Sequence, residues 1–123
     1  MGFQETFNER VMSAQNRAFG LETTLKHGVI TTAAFTATWE SREYEVIDNE
    51  GFATKLESRD WMFAVAAAVD ANGTAFTPRA GDIVAATENG VAAEWEAMPI
   101  GTLPACELTD GGYRYRVHTK RVR

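Results

Sequence analysis

Apolar residues at the start of the chain recur with the period of an α-helix. Successive apolar positions are separated by four, four, three and four residues, which places them on one face of a helix. These positions are Phe3, Phe7, Val11, Ala14 and Ala18. Gly20 follows as a candidate C-cap, because glycine readily adopts the left-handed conformation that ends many helices. The pattern predicts an amphipathic helix over residues 4–19.

From residue 29 onward the pattern becomes typical of β-strands. Residues 29–39 are rich in β-branched and aromatic side chains, and the Asn89-Gly90 step is a strong hairpin signal. Residues 99–112 contain two prolines and three glycines, which predicts a loop. We therefore expect a mainly β fold, in which the N-terminal helix is followed by an antiparallel β-barrel or meander of about six or seven strands over residues 29–122. The length of 123 residues fits a single domain, residues 1–123.

Residues 113–120 show the clearest alternation in the chain. Since successive side chains of a strand point to opposite faces, this segment has two distinct faces. One face carries Tyr113, Tyr115, Val117 and Thr119, and the other carries Arg114, Arg116, His118 and Lys120. We predict that the tyrosine face packs in the core and that the basic face is exposed, with His118 at the surface.

The charges are distributed unevenly along the chain. The net charge is −5, but residues 1–112 contain 17 acidic and seven basic side chains. Residues 113–123 contain five basic side chains and no acidic one. An acidic body repels phosphate and is a poor nonspecific binder of nucleic acid. The cationic end suits contact with phosphate or with an acidic protein surface, including that of a second copy of the chain.

Most catalytic and cofactor-binding arrangements are missing from the sequence. Cys106 cannot form an internal disulfide, and it has no zinc-ligand spacing with His27 and His118. No signature of a nucleophilic cysteine surrounds Cys106, and Gly111-Gly112 precedes a strand rather than a phosphate-binding helix. The longest apolar run, Met62–Val69, has only eight residues, too few to span a bilayer. We predict no catalytic residues, no cofactor, no metal and no membrane association; a small enzyme or ligand-binding barrel remains an alternative.

The basic strand with interleaved tyrosines also fits a second class of function. Small β-barrels that bind single-stranded nucleic acid combine cationic grooves with exposed aromatic side chains. In this chain the alternation separates the tyrosines from the bases, which favours a protein interface. The predicted partner-interface residues are Arg114, Arg116, His118, Lys120, Arg121 and Arg123. An OB-like barrel that binds single-stranded nucleic acid is the alternative.

Four segments, in their order along the chain, resemble a family of phage proteins. They are Arg42–Asp48, Arg59-Asp60-Trp61, the turn from Pro78 through Gly81 and Asp82 to Ile83, and Arg116–Lys120. Together they make residues 40–122 similar to head–tail joining proteins, also called head-completion or neck-connector proteins, of tailed phages and prophages. The Pro-x-x-Gly-Asp turn is the most recognisable of these segments. We expect Gly81 to adopt a positive φ and the Asp82 carboxylate to cap the turn.

The resemblance implies a structural, non-enzymatic protein of the virion neck that assembles in the host cytoplasm. Its implied partners are other copies of itself in a ring, together with the portal or adaptor and tail proteins. DNA would pass through such a ring without sequence-specific contact. The charge distribution fits this role, because a cationic strand can contact the acidic flank of the next copy and head-to-tail contacts can close into rings.

Overall fold

A computed structural model of the chain describes the backbone of residues 14–123 and the side chains from residue 20 onward. Within this range the fold is mainly β, with one antiparallel sheet of eight strands and no α-helix. The strands are β1 (Ala14–His27), β2 (Ile30–Thr31), β3 (Phe35–Ile47), β4 (Ala53–Ala64), β5 (Ile83–Glu88), β6 (Val91–Ala97), β7 (Cys106–Thr109) and β8 (Arg114–Arg121). Short 3-10 turns lie at Val65–Ala67 and Asp110–Gly112.

The strand order places the C-terminal strand in the middle of the sheet. The order is β2-β1-β3-β4-β8-β6-β5, and β7 pairs with β8 next to β6. The 14-residue β1 is long enough to pair with three strands: with β3 over Ala14–Thr23, with β5 over Thr23–Lys26, and with β2 at Lys26 and His27. Long-range pairings therefore bring both ends of the described chain into one sheet.

The core lies on the side of the sheet that carries the aromatic side chains. Trp61 and Trp95 pack edge to face, with 5.0 Å between ring centres. The guanidinium of Arg59 lies 3.6 Å from the ring centre of Trp39 and 4.7 Å from that of Trp95. Such stacking of a cation on indole faces is attractive, and the Arg59 Nη1 also forms an ion pair with Glu88 at 3.1 Å. The arginine therefore belongs to the aromatic core and joins β3, β4 and β6.

The predicted N-terminal helix is wrong where the structure can test it. Residues 14–19 are part of β1, in which Ala14 lies opposite Arg42 and Ala18 opposite Trp39; residues 4–13 lie outside the described residues. The β1–β3 register shifts twice, between Gln15 and Ala18 and between Ala18 and Leu21. Each bulge adds one residue to β1, so the four-residue interval from Ala14 to Ala18 fits a bulged strand as well as a helix. Strand pairing with β3 overrides that local signal.

The predicted loop over residues 99–112 is also partly wrong, because Cys106–Thr109 forms β7. This strand and β1 explain why the sheet has eight strands rather than the predicted six or seven. The predicted antiparallel β fold is confirmed at the level of this sheet, and the barrel stays a prediction. The hairpin at Asn89-Gly90 is confirmed: it joins β5 to β6, and both residues have positive φ, of 53° and 79°.

Candidate interaction surface and buried ionic cluster

The central strands carry a buried ionic cluster on the face opposite the tryptophans. At its centre is Asp60 of β4, whose side chain is fully buried. Its Oδ2 accepts hydrogen bonds from the Tyr44 hydroxyl at 2.5 Å and from Arg116 Nη1 at 2.7 Å. Its Oδ1 accepts from the Ser58 hydroxyl at 2.6 Å and contacts His118 Nδ1 at 2.9 Å. We call these residues and Glu107, which contacts the second nitrogen of His118, the Asp60 cluster.

The strand register explains why these side chains meet. Asp60 lies directly opposite Glu40 on β3 and opposite His118 on β8. Side chains at every second position share a face, so Tyr44, Ser58 and Arg116 project to the same side as Asp60. The loop of residues 98–105 crosses this face: Ile100 is 2% exposed, and Gly101 packs so closely on Val46 that a Cβ there would lie 3.0 Å from Val46 Cγ1. The loop therefore buries the polar face of the sheet.

The electrostatics of the cluster favour ionised Asp60 and protonated His118. Burial acts to raise the pKa of Asp60, but His118, Ser58 and Tyr44 outweigh it and lower that pKa to about 2. Burial acts to lower the pKa of His118, but Asp60 and Glu107 outweigh it and raise that pKa above 6.5. Both ring nitrogens of His118 face carboxylates, and only the imidazolium can donate from both. The cluster is therefore a set of mutually stabilised charges.

Arg116 and Tyr44 complete this balance of charges. Burial acts to lower the pKa of Arg116, but the negative charges of Asp60 and Glu40 outweigh burial and raise that pKa above its usual value. Burial and the charge of Asp60 raise the pKa of Tyr44, so its hydroxyl stays protonated and donates to the carboxylate. Arg116 Nη2 also lies 3.8 Å from Glu40. The arginine thus links β8 to acidic side chains on both β3 and β4.

The structure separates the predicted interface residues into two groups. Arg114, Lys120, Arg121 and Arg123 are exposed, as predicted. His118 is 1% exposed and Arg116 is held in the Asp60 cluster, so their predicted exposure on a basic surface is wrong. The sheet has two covered faces here, one over the aromatic core and one under the 98–105 loop, so alternation alone could not identify an exposed side. Tyr113, predicted in the core, is 78% exposed because it follows the Asp110–Gly112 turn, before β8 begins.

The exposed cations differ in their partners. Arg123 Nε lies 2.7 Å from Glu94 Oε1, and Arg114 Nε lies 3.5 Å from Asp110 Oδ2. The Arg121 side chain donates to the backbone carbonyl of Arg123 at 2.9 Å. Lys120 lies opposite Glu96 on β6. The end of β8 and the residues after it therefore carry three exposed bases, Lys120, Arg121 and Arg123, beside Glu94 and Glu96 of β6.

The turn of residues 78–82 is locked by its own aspartate. Gly81 has a φ of +91°, as predicted, and its amide donates to the Ala97 carbonyl at 2.8 Å. The buried Asp82 Oδ2 accepts from the Arg79 amide at 2.9 Å, so the carboxylate caps the turn. Its Oδ1 lies 2.5 Å from His27 Nδ1 of β1, a contact that sequence spacing could not reveal. Pro78 is buried in this turn, which therefore anchors β5 to β1 and β6.

The structure offers little support for catalysis in the described part of the chain. Burial, together with the negative charges of Glu107 and Asp82, raises the pKa of the Cys106 thiol to about 12, which keeps it protonated. Residues 14–123 contain no group of three or more metal-binding side chains. A cavity of about 270 Å³ adjoins the Asp60 cluster; its lining includes Arg42, Leu103 and Glu107. The charged groups that line it already have partners: His118 contacts Glu107, Arg42 is paired with Glu40, and Arg116 is paired with Asp60.

Sequence reasoning missed two features that the register creates. The Asp60 cluster depends on residues from four strands, and the only local signal was a charged residue inside an aromatic strand, Arg59-Asp60-Trp61. The second feature is a two-stranded arm, residues 43–57, formed by the distal halves of β3 and β4. We call it the β3–β4 arm. Its signals were the turn at Asp48–Gly51 and the apolar residues beside it.

Comparison with known proteins identifies the family. The family model described as phage head-tail joining protein matches residues 5–123, nearly the whole chain. No curated protein and no solved structure gives a significant match. None of the helices in the described range is long and apolar enough to cross a membrane. The match covers the central sheet, the Asp60 cluster and the cationic C-terminal strand, and the chain belongs to the phage head-tail joining protein family.

Proposed function

We propose that this protein is a neck component that forms a ring of identical copies between the portal and the tail. The match to the head-tail joining family over residues 5–123 is the observation that carries the proposal. Members of a structural family act by holding partners together, so the relevant chemistry lies in surfaces rather than in a catalytic site. The family match gives the general role in joining heads to tails. The proposal adds the ring of identical copies, its position between portal and tail, and its direct partners.

Two features of the sheet support a ring subunit. β1 pairs with β5, the strand at the far end of the strand order, so the sheet can close into the small barrel that the sequence predicted. A closed sheet leaves few free edges and suits a rigid building block. The exposed Lys120 and Arg121 and the acidic residues of the β3–β4 arm belong to different surfaces of one copy, so a contact between the two surfaces is head-to-tail. Contacts of that kind generate rings when the rotation closes.

The charge of the body suits passage of DNA through the ring. Residues 1–112 carry ten more acidic than basic side chains. A channel lined by such a surface repels phosphate, so the DNA is not held by released counterions. We therefore propose DNA as a passing substrate of the neck, without sequence-specific contact.

The direct test is the phenotype of a phage that lacks the gene. We expect DNA-filled heads and free tails that fail to join, and purified protein should restore joining. Electron microscopy of the restored particles should show added density at the neck. If the mutant phage makes normal numbers of infectious particles, the proposed function is wrong.

One observation favours the single-stranded nucleic-acid alternative. Tyr113 is 78% exposed and adjoins the exposed Arg114, so an aromatic ring and a cation share a surface there. An oligonucleotide titration at several salt concentrations separates the two functions. Tight binding that weakens steeply with salt supports the alternative, whereas negligible binding at low salt supports the neck role.

A further inference from the structure

The β3–β4 arm extends beyond the strands that flank it. In the described chain, β1 pairs with β3 only as far as Arg42, and β8 pairs with β4 only from Arg59 onward. The two strands of the arm, from Glu43 opposite Glu57 to Ile47 opposite Ala53, pair with each other. One face of this ribbon packs on the 98–105 loop through Val46, but residues 47–55 at its tip are exposed. A two-stranded ribbon is only marginally stable in water by itself, so the tip gains from a further surface to pack on.

The tip of the arm is apolar and preorganised. Ile47 is 62% exposed and Phe52 is 65% exposed. The Asp48 carboxylate accepts hydrogen bonds from the amides of Glu50 and Phe52, both at 2.9 Å, which fixes the turn that presents the phenyl ring. An exposed aromatic on a rigid turn loses little conformational freedom when it binds. These properties are typical of an interaction surface.

The side chains of the arm are strongly acidic. Residues 43–57 contain five acidic side chains and one lysine. Glu43 lies directly opposite Glu57, and like charges at paired positions destabilise a ribbon. Among the described side chains, those of residues 20–123, neither glutamate forms an ion pair shorter than 4.0 Å. A cationic partner would relieve this repulsion.

The same chain presents the complementary chemistry at its C-terminal end. Lys120 and Arg121 are exposed, and the neighbouring Val122 is 40% exposed. The base of the arm lies near this end in the same copy, since Glu57, Lys120 and Arg121 line one cavity. The tip does not: in the antiparallel register of Arg59 opposite Thr119, Val122 would be level with Leu56, and the four residues from there to Phe52 span about 13 Å at 3.3 Å per residue. The partner that fits both charge and apolarity is therefore a second copy.

We propose that the β3–β4 arm of one copy binds the Lys120–Val122 end of the next copy. Phe52 and Ile47 contact the apolar part of that end, and the acidic side chains of the arm face Lys120 and Arg121. The two surfaces differ, so each copy donates one arm and accepts another, as a ring requires. This inference rests on the proposed function and specifies which surfaces make the contact between copies.

The test is a joining assay with purified full-length protein, in which infectious particles form from heads and tails made without this protein. Two arm variants, Phe52→Ser and the triple variant Glu43→Lys/Glu50→Lys/Glu57→Lys, which changes the net charge of the arm from −4 to +2, should each reduce joining about tenfold, since charges and apolar anchors at such contacts control association. The terminus variant Lys120→Glu/Arg121→Glu should do the same. A chain that carries both charge reversals should recover joining to within about threefold of the unaltered protein, because the attraction is restored with opposite signs.

Matched substitutions away from the proposed contact serve as controls. Val29→Ser removes an apolar side chain that is 99% exposed, Glu22→Lys reverses an exposed acid, and Lys26→Glu reverses an exposed base, all on or next to β1. Joining with these variants should equal that with the unaltered protein. Thermal melting of every variant shows that the fold is retained.

The outcomes separate the inference from the proposed function. If the unaltered protein restores no joining, the proposed function is wrong. If it restores joining but the arm variants are as active as the controls, the arm contact is wrong while the function stands. If each reversal impairs joining and the combined reversal does not recover it, the two surfaces bind other proteins of the neck, and the contact between copies is likewise wrong.

Discussion

Arg116 of β8 and Asp60 of β4 form an ion pair of 2.7 Å under the 98–105 loop, and this pair decides the role of the basic strand. Alternation predicted a row of four exposed bases along β8. Two of the four, Arg116 and His118, instead compensate a carboxylate that has no access to solvent. The same strand therefore has a structural middle and a cationic end.

Replacement of Arg116 by alanine should destabilise the fold, contrary to what an exposed base would do. Removing one partner of a buried ion pair leaves an uncompensated charge, which costs about 3–5 kcal/mol. Urea unfolding of Arg116→Ala measures this loss. Arg114→Ala, on the same strand but half exposed, is the matched control and should change the free energy of unfolding by less than about 1 kcal/mol.

Acid should weaken the fold through Asp60. Its pKa is lowered from 3.8 to about 2 in the folded state, so its stabilising contribution is present above pH 3.8 and is lost as the pH falls towards 2. That difference corresponds to about 2 kcal/mol. The free energy of unfolding, measured by urea titration between about pH 2 and pH 6, should decrease more steeply towards acid in the unaltered protein than in Asp60→Asn, because the variant lacks the contribution of this one carboxylate. An equal slope in both would contradict the assignment to Asp60.

A rise in pH should destabilise the fold through deprotonation of His118. Its pKa is raised in the folded state, so its contribution is complete below the unfolded value of 6.5 and disappears as the pH rises through the folded pKa. The free energy of unfolding should therefore decrease as the pH rises above about 6.5, and His118→Gln should remove most of that decrease. His27→Gln is the control, because His27 contacts Asp82 and lies outside the Asp60 cluster.

The two tyrosines at the start of β8 should differ sharply. Tyr115 is 9% exposed and packs on Phe63, with ring centres 5.6 Å apart, whereas Tyr113 is 78% exposed. Tyr115→Ala should cost about 3–5 kcal/mol of folding free energy, the range for deletion of a large buried aromatic side chain. Tyr113→Ala should have little effect. Thermal or urea unfolding of both variants measures the two losses. Equal losses would contradict the burial of Tyr115 and the exposure of Tyr113.

Substitution of Gly81 should disrupt the turn that the sequence singled out. A side chain at φ +91° is strained even though the space around the glycine is open, and a β-branched residue tolerates that conformation worst. Gly81→Val should lose about 1–3 kcal/mol, while Ala80→Val, at the exposed neighbouring position, should lose much less. Urea midpoints of the two variants provide the comparison.

Local signals in the sequence determined several elements without any knowledge of the fold. Residues 114–120 form a strand because strict alternation is a property of consecutive residues. The Asn89-Gly90 hairpin and the Gly81 turn follow from backbone conformations that few other residues adopt. The family resemblance also rested on such local segments.

Only the tertiary structure decided which polar side chains are buried and what the N-terminal segment forms. Asp60 meets Arg116 and His118 across 56 and 58 residues of sequence, and no local pattern encodes that register. Residues 14–19 join β3 as a bulged strand because hydrogen bonds to a distant partner outweigh a helical spacing of apolar residues. The sequence itself determined β8, the Asn89-Gly90 hairpin and the Gly81 turn, since their signals depend on neighbours in the chain. The pairing of strands decided the cluster, the arm and the exposed cationic end, because these depend on residues brought together from far apart.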